Sequence, residues 1–478
     1  MRKRSYSLLA GALLLWACSG SIQPSSSIGS LPPLEPDYSF VTVPRNIAPL
    51  NFSYTGSEEC ALQVEGHTIR GQEGLFSFPP RLWKKLMARD QVEMTVLVRQ
   101  DGEWKAFQPF TITVKEDIDP YISYRLIPPG YQGWQKMGIY QRDLTSYRQS
   151  AILSNDLTDG NCMNCHTTLG GDPSKSVFHV RAAHGGTILI DGSTIEKLNT
   201  KTDSTITALV YPYWHPSGEY IAFSVNKTLQ SFYNHGEDRI EVYDTASDVV
   251  VYDVHGKGIA WSSLTKSEDH FETFPTFSPD GKWLYFCSAS AVDMPKDFKQ
   301  VRYGLYRIAF NAQDMSFGDH LECLYDAPAE GYSVSFPRIS PDGRFLCFTR
   351  HGYGNFSIWH KDADLWMLDL ETLEKWPLEA ANSPETESFH SWSGSGRWMV
   401  FSSRRGDGLY TRPYFTYIDG EGKASKPFLL PQKNPGAYYK RLMESYNLPA
   451  FLNGPMTMSK HKIVSEIRES SGVDIQVK

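Results

Sequence analysis

The octapeptide Phe-Pro-Thr-Phe-Ser-Pro-Asp-Gly at residues 274–281 recurs with substitutions at three other places in the chain. The other copies are Tyr-Pro-Tyr-Trp-His-Pro-Ser-Gly at 211–218, Phe-Pro-Arg-Ile-Ser-Pro-Asp-Gly at 336–343 and Phe-His-Ser-Trp-Ser-Gly-Ser-Gly at 389–396. A short β-rich run follows each copy, for example Trp-Leu-Tyr-Phe at 283–286. A motif that recurs at uneven spacing indicates a repeated supersecondary unit whose loops differ in length.

Each repeat is predicted to form four short antiparallel strands. The Pro-Asp-Gly or Ser-Gly sequence is typical of a tight turn, because glycine adopts a positive φ without steric cost. Strands precede and follow this turn, and a second strand pair comes after them, as in residues 364–370 and 372–378. Four-stranded antiparallel units in series predict the blades of a β-propeller.

The four repeats resemble those of the TolB-like (WD-like repeat) propeller family, whose blades carry a Trp/Phe-Ser-Pro-Asp-Gly turn. The resemblance implies an all-β propeller of about six blades, and it implies the fold far more than the function. We expect the first complete blade at residues 176–200. We expect the last blade to combine strands from residues 137–153 with strands near 456–467, because a ring closed by both ends has no exposed sheet edge.

The region before the repeats has a different character. Alternating polar and apolar runs separated by turn signals, such as Phe110-Thr-Ile-Thr-Val, predict an immunoglobulin-like β-sandwich over residues 36–115. Residues 79–89 are expected to form a short helix within it. Residues 116–131, with three prolines, are predicted to be a linker, and the propeller is expected to fill residues 132–478, with a second helix at 438–446.

The N-terminus has the pattern of an export signal. Basic residues at 2–4 precede an uncharged, leucine-rich stretch, and residues 1–17 therefore predict a cleaved signal peptide. The ending Leu15-Trp-Ala-Cys18 resembles a bacterial lipobox, which implies cleavage before Cys18 and lipid attachment to that residue. An ordinary secretory signal is the alternative. Residues 18–35 are predicted to be a flexible tether, and the protein is expected on the periplasmic face of the envelope, with the outer membrane favoured over the inner.

Composition and absent motifs exclude several functions. The chain has 47 Lys and Arg against 54 Asp and Glu, a net charge of −7, which argues against a nucleic-acid-binding protein. The sequence contains no Gly-x-Ser-x-Gly elbow, no phosphate-binding glycine-rich loop and no dinucleotide-binding fingerprint. Five of the seven cysteines are scattered, and Cys287 and Cys347 lie in apolar runs typical of buried free thiols.

The sequence Cys162-Met-Asn-Cys165-His166 has the spacing of a c-type haem attachment site. Two thiols three positions apart reach the two vinyl groups of one porphyrin, and the adjacent imidazole binds the iron. We therefore predict covalent haem c on Cys162 and Cys165, with His166 as the proximal ligand. Two alternatives remain at this stage. The cysteines could form a disulfide, or they could bind zinc with ligands such as His179 and His184.

The sixth iron ligand is not fixed by spacing. Counting back from Gly171, Cys165 aligns with Pro212, Pro275, Pro337 and His390 of the repeats, which predicts a haem near the central mouth. His390 is the candidate distal ligand because it replaces a proline there. Further candidates are His179, His184, Met137, Met456 and Met458. Glu272 and Glu387 are expected to be solvated carboxylates at the rim of the mouth.

Together these features predict a membrane-anchored periplasmic protein resembling a c-type cytochrome, with covalent haem on a β-propeller. Its expected role is electron transfer or haem-linked redox chemistry with a redox or envelope protein partner. The pattern favours an electron carrier or binding protein over an enzyme. The alternative is a TolB-like protein-interaction scaffold of the cell envelope that carries no haem.

Overall fold

The structure is a computed structural model that describes residues 22–128, 136–233 and 240–478. The predicted signal peptide and Cys18 lie outside these residues. Strands dominate the described chain, as the sequence predicts, and they form eight sheets there. Within the same described ranges, no helix has both the length and the apolar character needed to cross a bilayer.

The N-terminal region forms two sheets that share one core. A seven-stranded sheet contains β1, β3, β5, β6 and β8–β10, and a three-stranded sheet contains β2, β4 and β7. Phe52 and Phe76 of the smaller sheet pack in one cluster with Met94 and Ile112 of the larger. In chain order the elements are β1 (Ser26–Ser27), β2 (Leu34–Glu35), β3 (Thr42–Pro44), β4 (Phe52–Tyr54), β5 (Cys60–Val64), β6 (His67–Arg70), β7 (Leu75–Phe76), α1 (Pro80–Leu86), β8 (Gln91–Gln100), β9 (Glu103–Ala106) and β10 (Phe110–Lys115).

Two local expectations have different outcomes here. The short helix predicted at 79–89 is present as α1, which begins with Pro80 at a position where its missing N–H costs nothing. The tether predicted at 18–35 is partly ordered. Its strand β1 pairs in parallel with β9, Ser26 opposite Lys105, because the edge of the larger sheet offers free backbone partners there.

Among the described residues, twenty-four strands follow before the next α-helix. They are β11 (Tyr121–Ile127), β12 (Gly138–Asp143), β13 (Gln149–Ser154), β14 (Met163–Leu169), β15 (Asp172–Val180), β16 (Gly186–Asp191), β17 (Thr194–Asn199), β18 (Leu209–Trp214), β19 (Tyr220–Phe232), β20 (Ile240–Asp253), β21 (Gly258–Ala260), β22 (His270–Phe277), β23 (Trp283–Ser290), β24 (Gly304–Asn311), β25 (Ser316–Phe317), β26 (Glu322–Tyr325), β27 (Ser333–Ile339), β28 (Phe345–His351), β29 (Asp364–Asp369), β30 (Lys375–Pro377), β31 (Glu387–Trp392), β32 (Trp398–Ser403), β33 (Arg412–Tyr417) and β34 (Phe428–Leu429).

The C-terminal region adds five elements. They are α2 (Pro435–Arg441), β35 (Ser445–Leu452), α3 (Lys460–Glu469), β36 (Val473–Asp474) and β37 (Gln476–Val477). The helix predicted at 438–446 thus begins and ends earlier, since Asn434 caps α2 through its side chain. The strand predicted near 456–467 is wrong, because that segment is the amphipathic helix α3, which buries Ile463 and Ile467.

The strands from β11 onward form six sheets arranged in a closed, propeller-like circle, which we call the ring. We call the innermost strand of each sheet its inner strand. Each inner strand contacts the inner strand of the next sheet. The order around the ring is β14, β18, β22, β27, β31, β35 and back to β14. One sheet joins the two ends of this region, because β35 pairs antiparallel with β11. Residues 116–131, predicted as a linker, therefore contain a strand of the closing sheet.

Every inner strand carries a β-bulge at the same height. Two residues of each inner strand oppose one on its neighbour, and the first of the two has a left-handed backbone. A positive φ is uncommon for residues other than glycine, so its recurrence marks a structural repeat. The first bulge residues are Cys165 (φ 54), Tyr211 (φ 49), Phe274 (φ 53), Phe336 (φ 54), Phe389 (φ 52) and Leu448 (φ 52).

The second bulge residue explains the repeated proline. It is Pro212, Pro275, Pro337 and Pro449 in four inner strands, His166 in β14 and His390 in β31. A bulge leaves a residue unpaired in the ladder, so proline fits there despite lacking an N–H. The predicted alignment of Cys165 with these prolines is wrong by one residue, because the turn after β14 is one residue shorter than the Pro-Asp-Gly turns. His166 is the residue equivalent to His390.

Candidate functional site at the mouth of the ring

The first bulge residues meet at the centre of the ring and close it. The ring centroids of Phe274 and Phe336 lie 4.0 Å apart, and those of Phe336 and Phe389 lie 4.9 Å apart. Tyr211 packs edge-on against Phe274 at 4.8 Å. Aromatic contacts at these distances stabilise packing beyond the area they bury. We call these four aromatic residues the central cluster, and three of them, Tyr211, Phe336 and Phe389, also line a cavity.

A cavity of about 470 Å³ lies on the turn side of the cluster, and we call it the mouth cavity. Residues of all six inner strands line it. They include Cys165 and His166 of β14, Trp214 of β18, Phe277 of β22, Arg338 of β27, His390 and Ser391 of β31 and Phe451 of β35. Ligand pockets of globular proteins commonly hold about 300–1,000 Å³. The mouth cavity is therefore large enough for a cofactor or a small molecule.

Several polar groups on the cavity wall have no hydrogen-bond partner among the described residues. They are both ring nitrogens of His166, Nδ1 of His390, Nε1 of Trp214 and Oγ of Ser391. A buried polar atom without a partner costs about 1–3 kcal/mol, and these atoms belong to three of the six inner strands around the cavity. Ordered water or a bound ligand would satisfy them.

Both imidazoles in the wall are neutral at physiological pH. Burial lowers the pKa of His166 to about 4, assisted by the charge of Arg125 and opposed by a weaker contribution from the Ser123 backbone. Burial likewise lowers the pKa of His390 to about 3. Nε2 of His390 lies 2.9 Å from the carbonyl oxygen of Cys347, so only its Nδ1 is left to a ligand. A neutral imidazole is the form that binds metals.

The two cysteines of the motif differ in position. Cys165 lines the mouth cavity, whereas Cys162 is buried just before β14 and is not among the lining residues. Both are free thiols, and burial raises the pKa of Cys165. The structure therefore contains no disulfide between Cys162 and Cys165. Across the described chain, no three His, Cys, Asp or Glu side chains are placed to hold one metal ion, which argues against the zinc alternative.

The other candidate iron ligands lie away from the cavity. Nδ1 of His179 is 3.2 Å from Thr187 Oγ1, and Nε2 of His184 is 2.9 Å from Asp159 Oδ2 on the surface. Met137 is buried outside the cavity, and Met456 and Met458 pack in a cluster with α3. Of the predicted site residues, the structure thus brings Cys165, His166 and His390 to one cavity.

The expectation of rim carboxylates is wrong. Glu272 is 2% exposed and Glu387 is fully buried, and neither lines the mouth cavity. Both lie near the starts of their inner strands, on the far side of the bulges. The sequence analysis also missed Arg338 and Trp214. Arg338 comes directly after the bulge of β27, and Trp214 comes two residues after the bulge of β18. Neither position can be recognised until the bulges are known.

Glu272→Gln is expected to make the protein's stability less dependent on pH. Burial, followed by the charge of Asp248, raises the pKa of Glu272 to about 8. Because the pKa of Glu272 is higher in the folded than in the unfolded state, its contribution to stability is complete below the unfolded-state pKa. That contribution is lost as the pH rises through 8. Between pH 6 and pH 9, the free energy of unfolding of the variant should therefore rise by about 2 kcal/mol relative to that of wild type. Urea unfolding at the two pH values measures this, and equal differences at both would contradict the burial.

No family model matches this chain, and no curated protein matches it. Some solved structures are similar to it at low identity. An oligogalacturonate lyase in complex with manganese is 14% identical, with 64% of this chain and 78% of the other covered and a TM-score of 0.37. A puromycin-hydrolysing peptidase of Mycobacterium tuberculosis is 13% identical, with 86% and 57% covered and a TM-score of 0.37. Similarity at this level assigns neither a family nor an activity.

Proposed function

We propose that the protein carries one covalently bound haem c at the mouth cavity and acts as an extracytoplasmic electron carrier. In this proposal Cys162 and Cys165 form the thioethers and His166 binds the iron. The observation that carries it is the state of His166. Its imidazole is neutral, both its ring nitrogens are buried with no interaction beyond a weak one with the Ser123 backbone, and it follows a thiol of the attachment motif in the cavity wall.

The donor set fits a haem. The motif supplies one thiol in the cavity wall, a second free thiol buried just before β14 and one neutral imidazole, and the lining includes aromatic side chains such as Tyr211 and Phe451. Haem supplies one-electron redox chemistry when bound. The protein's part is to hold the His166 ring with no competing interaction stronger than the weak one from the Ser123 backbone. The nearby charge of Arg125 makes protonation of His166 more costly, which keeps its ring available as a ligand.

His390 is the proposed distal residue. It occupies the same bulge position in β31 as His166 in β14, lines the same cavity and has a free Nδ1. The hydrogen bond from Nε2 to the Cys347 carbonyl fixes the ring and its tautomer. Ligation through Nδ1 would leave the iron with two histidines, which generally gives a lower reduction potential than histidine with methionine.

The remaining parts of the proposal concern architecture and location. The six sheets of the ring are proposed as the blades of a six-bladed TolB-like propeller, and the N-terminal two-sheet region as an immunoglobulin-like domain. Lipidation at Cys18 would hold the protein on the periplasmic face, with the outer membrane favoured. The partner is proposed to be a redox or envelope protein. An envelope scaffold without haem remains the competing function.

Spectroscopy of the natively produced protein tests the proposal. Co-expression with cytochrome c maturation machinery should give a c-type α-band in the reduced-minus-oxidised spectrum. His166→Ala should keep the covalently attached porphyrin but change the iron's ligand-field spectrum, because the thioethers do not depend on the imidazole. His255→Ala is the matched control, since His255 is exposed, pairs with Glu219 and does not line the cavity. A colourless wild-type protein would favour the scaffold function.

A further inference from the structure

Arg338 is a cation in the wall of the mouth cavity with no anionic partner. It lies in β27, directly after the bulge residues Phe336 and Pro337. One of its nitrogens, Nη1, donates to the Pro337 carbonyl at 2.7 Å, and its guanidinium lies 5.3 Å from the centre of the Tyr213 ring. No carboxylate of the described chain lies within 4 Å of it. Burial lowers the pKa of Arg338.

Among the other arginines with little exposure, Arg142 and Arg405 have more partners than Arg338, whereas Arg404 pairs with no carboxylate and its Nε lacks an acceptor among the described residues. Arg142 has no acidic partner, but its guanidinium donates four hydrogen bonds, to the carbonyls of Asp143, Ser146 and Pro431 and to the Gln432 amide. Arg405 pairs with Glu387 at 3.0 Å. Arg338 lines the cavity and has a single acceptor among the described residues, the Pro337 carbonyl. Asp119, an acidic residue of the cavity lining, accepts instead from the backbone N–H of Gly394 at 2.8 Å.

The ring places Arg338 across the cavity from the attachment motif. In the order of inner strands β14, β18, β22, β27, β31 and β35, three steps separate β14 from β27 in either direction. Cys165 and His166 therefore lie on one wall and Arg338 on the wall facing it. The substituents of haem are distributed in the same way. The two vinyl carbons that form thioethers flank one edge of the porphyrin, and the two propionates flank the opposite edge.

We propose that Arg338 binds a propionate carboxylate of the haem. The inference rests on the proposed function, because it needs a porphyrin attached at β14. Guanidinium matches the planar geometry of a carboxylate, and hydrogen bonds between charged partners are about twice as strong as neutral ones. The stacked Tyr213 ring and the bond to the Pro337 carbonyl hold the side chain in place before the carboxylate arrives. A free organic acid offers the same group, but it would not be directed to the wall opposite the thioethers.

Arg338→Gln in the haem-loaded full-length protein is the first test. The porphyrin content by intact mass should equal wild type, because the thioethers do not involve Arg338. The reduction potential should fall, because a cation next to the porphyrin disfavours the more positive ferric state. Arg344→Gln is the control. Arg344 follows the turn after β27, and its guanidinium bonds Asp369 and the Gly420 carbonyl instead of facing the cavity.

The second test separates the carboxylate from the rest of the porphyrin. In the Cys162→Ser/Cys165→Ser protein, protoporphyrin IX should bind at least about tenfold more tightly than its dimethyl ester, and Arg338→Gln should remove that preference. Benzoate serves as a free-acid probe on the loaded protein. The inference is overturned if wild type carries porphyrin yet Arg338→Gln changes neither potential nor preference, or if benzoate binds the loaded protein through Arg338. A wild-type chain without porphyrin overturns the proposed function itself.

Discussion

Cys165→Ala is expected to remove most of the covalently bound porphyrin from the natively produced protein. Cys165 lines the mouth cavity beside His166, whereas Cys162 is buried outside the lining. A sulfur in the cavity wall reaches the porphyrin edge first, so Cys162 should form its thioether inefficiently once Cys165 is absent. Cys162→Ala should retain one thioether through Cys165. Intact-mass measurement distinguishes the two variants, and haem-staining after denaturing electrophoresis gives an independent readout.

The control for this series is Cys323→Ala. Cys323 is an exposed free thiol in β26, so its removal should change neither the fold nor the porphyrin content. Equal porphyrin mass in Cys165→Ala and wild type would show that attachment does not use the motif as proposed. Loss in Cys162→Ala but not in Cys165→Ala would reverse the assignment of the cavity-facing thiol.

The sequence predicted the repeating sheets because each of four repeats contains both a turn and its flanking strands. Gly218, Gly281, Gly343 and Gly396 all have the positive φ that the turn prediction requires. Two inner strands escaped that pattern. The turn after β14 is the short Gly170-Gly171 pair, and β35 carries Leu448-Pro449 at its bulge without a Pro-Asp-Gly turn. Since the closing strand lacked the motif, the sequence analysis placed it in what is the helix α3.

The candidate site was partly predictable for a similar reason. Cys162, Cys165 and His166 form a contiguous motif, which spacing alone reveals. His390 was found because it replaces a proline of the repeat. Arg338 has no such signal, since it lies in a strand among residues that alternate between core and cavity. Its role depends on which strand faces β14 across the ring, and that is a property of ring order rather than of local sequence.

Arg405→Ala is expected to lower the free energy of unfolding by about 3 kcal/mol or more. Arg405 supplies the positive charge beside Glu387, whose side chain is 0% exposed, with Nη2 and Oε1 3.0 Å apart. The carboxylate also accepts from the hydroxyls of Ser383 and Ser403, each at 2.7 Å. Hydrogen bonds alone do not compensate a fully buried charge, so removal of the cation leaves the carboxylate strongly destabilised.

The pH dependence identifies the cause. Burial raises the pKa of Glu387, and the charge of Arg405 opposes that rise, so Arg405→Ala should raise this pKa further. A group whose pKa is higher in the folded state contributes fully to protein stability when the pH is below its unfolded-state pKa. It loses that contribution as the pH rises through its folded-state pKa. The variant should therefore be destabilised more at pH 8 than at pH 5. Unfolding in urea at both pH values measures the difference.

A second substitution and an exposed pair complete this test. Glu387→Gln in the Arg405→Ala background should recover part of the stability and remove the pH dependence, because no buried charge then remains. Lys423→Ala breaks the ion pair with Glu421, in which the two side chains are 67% and 75% exposed, and should change the free energy of unfolding far less than Arg405→Ala does. If Arg405→Ala cost no more than Lys423→Ala, or were independent of pH, Glu387 would not be a buried anion held by Arg405, and this end of the ring would be solvated.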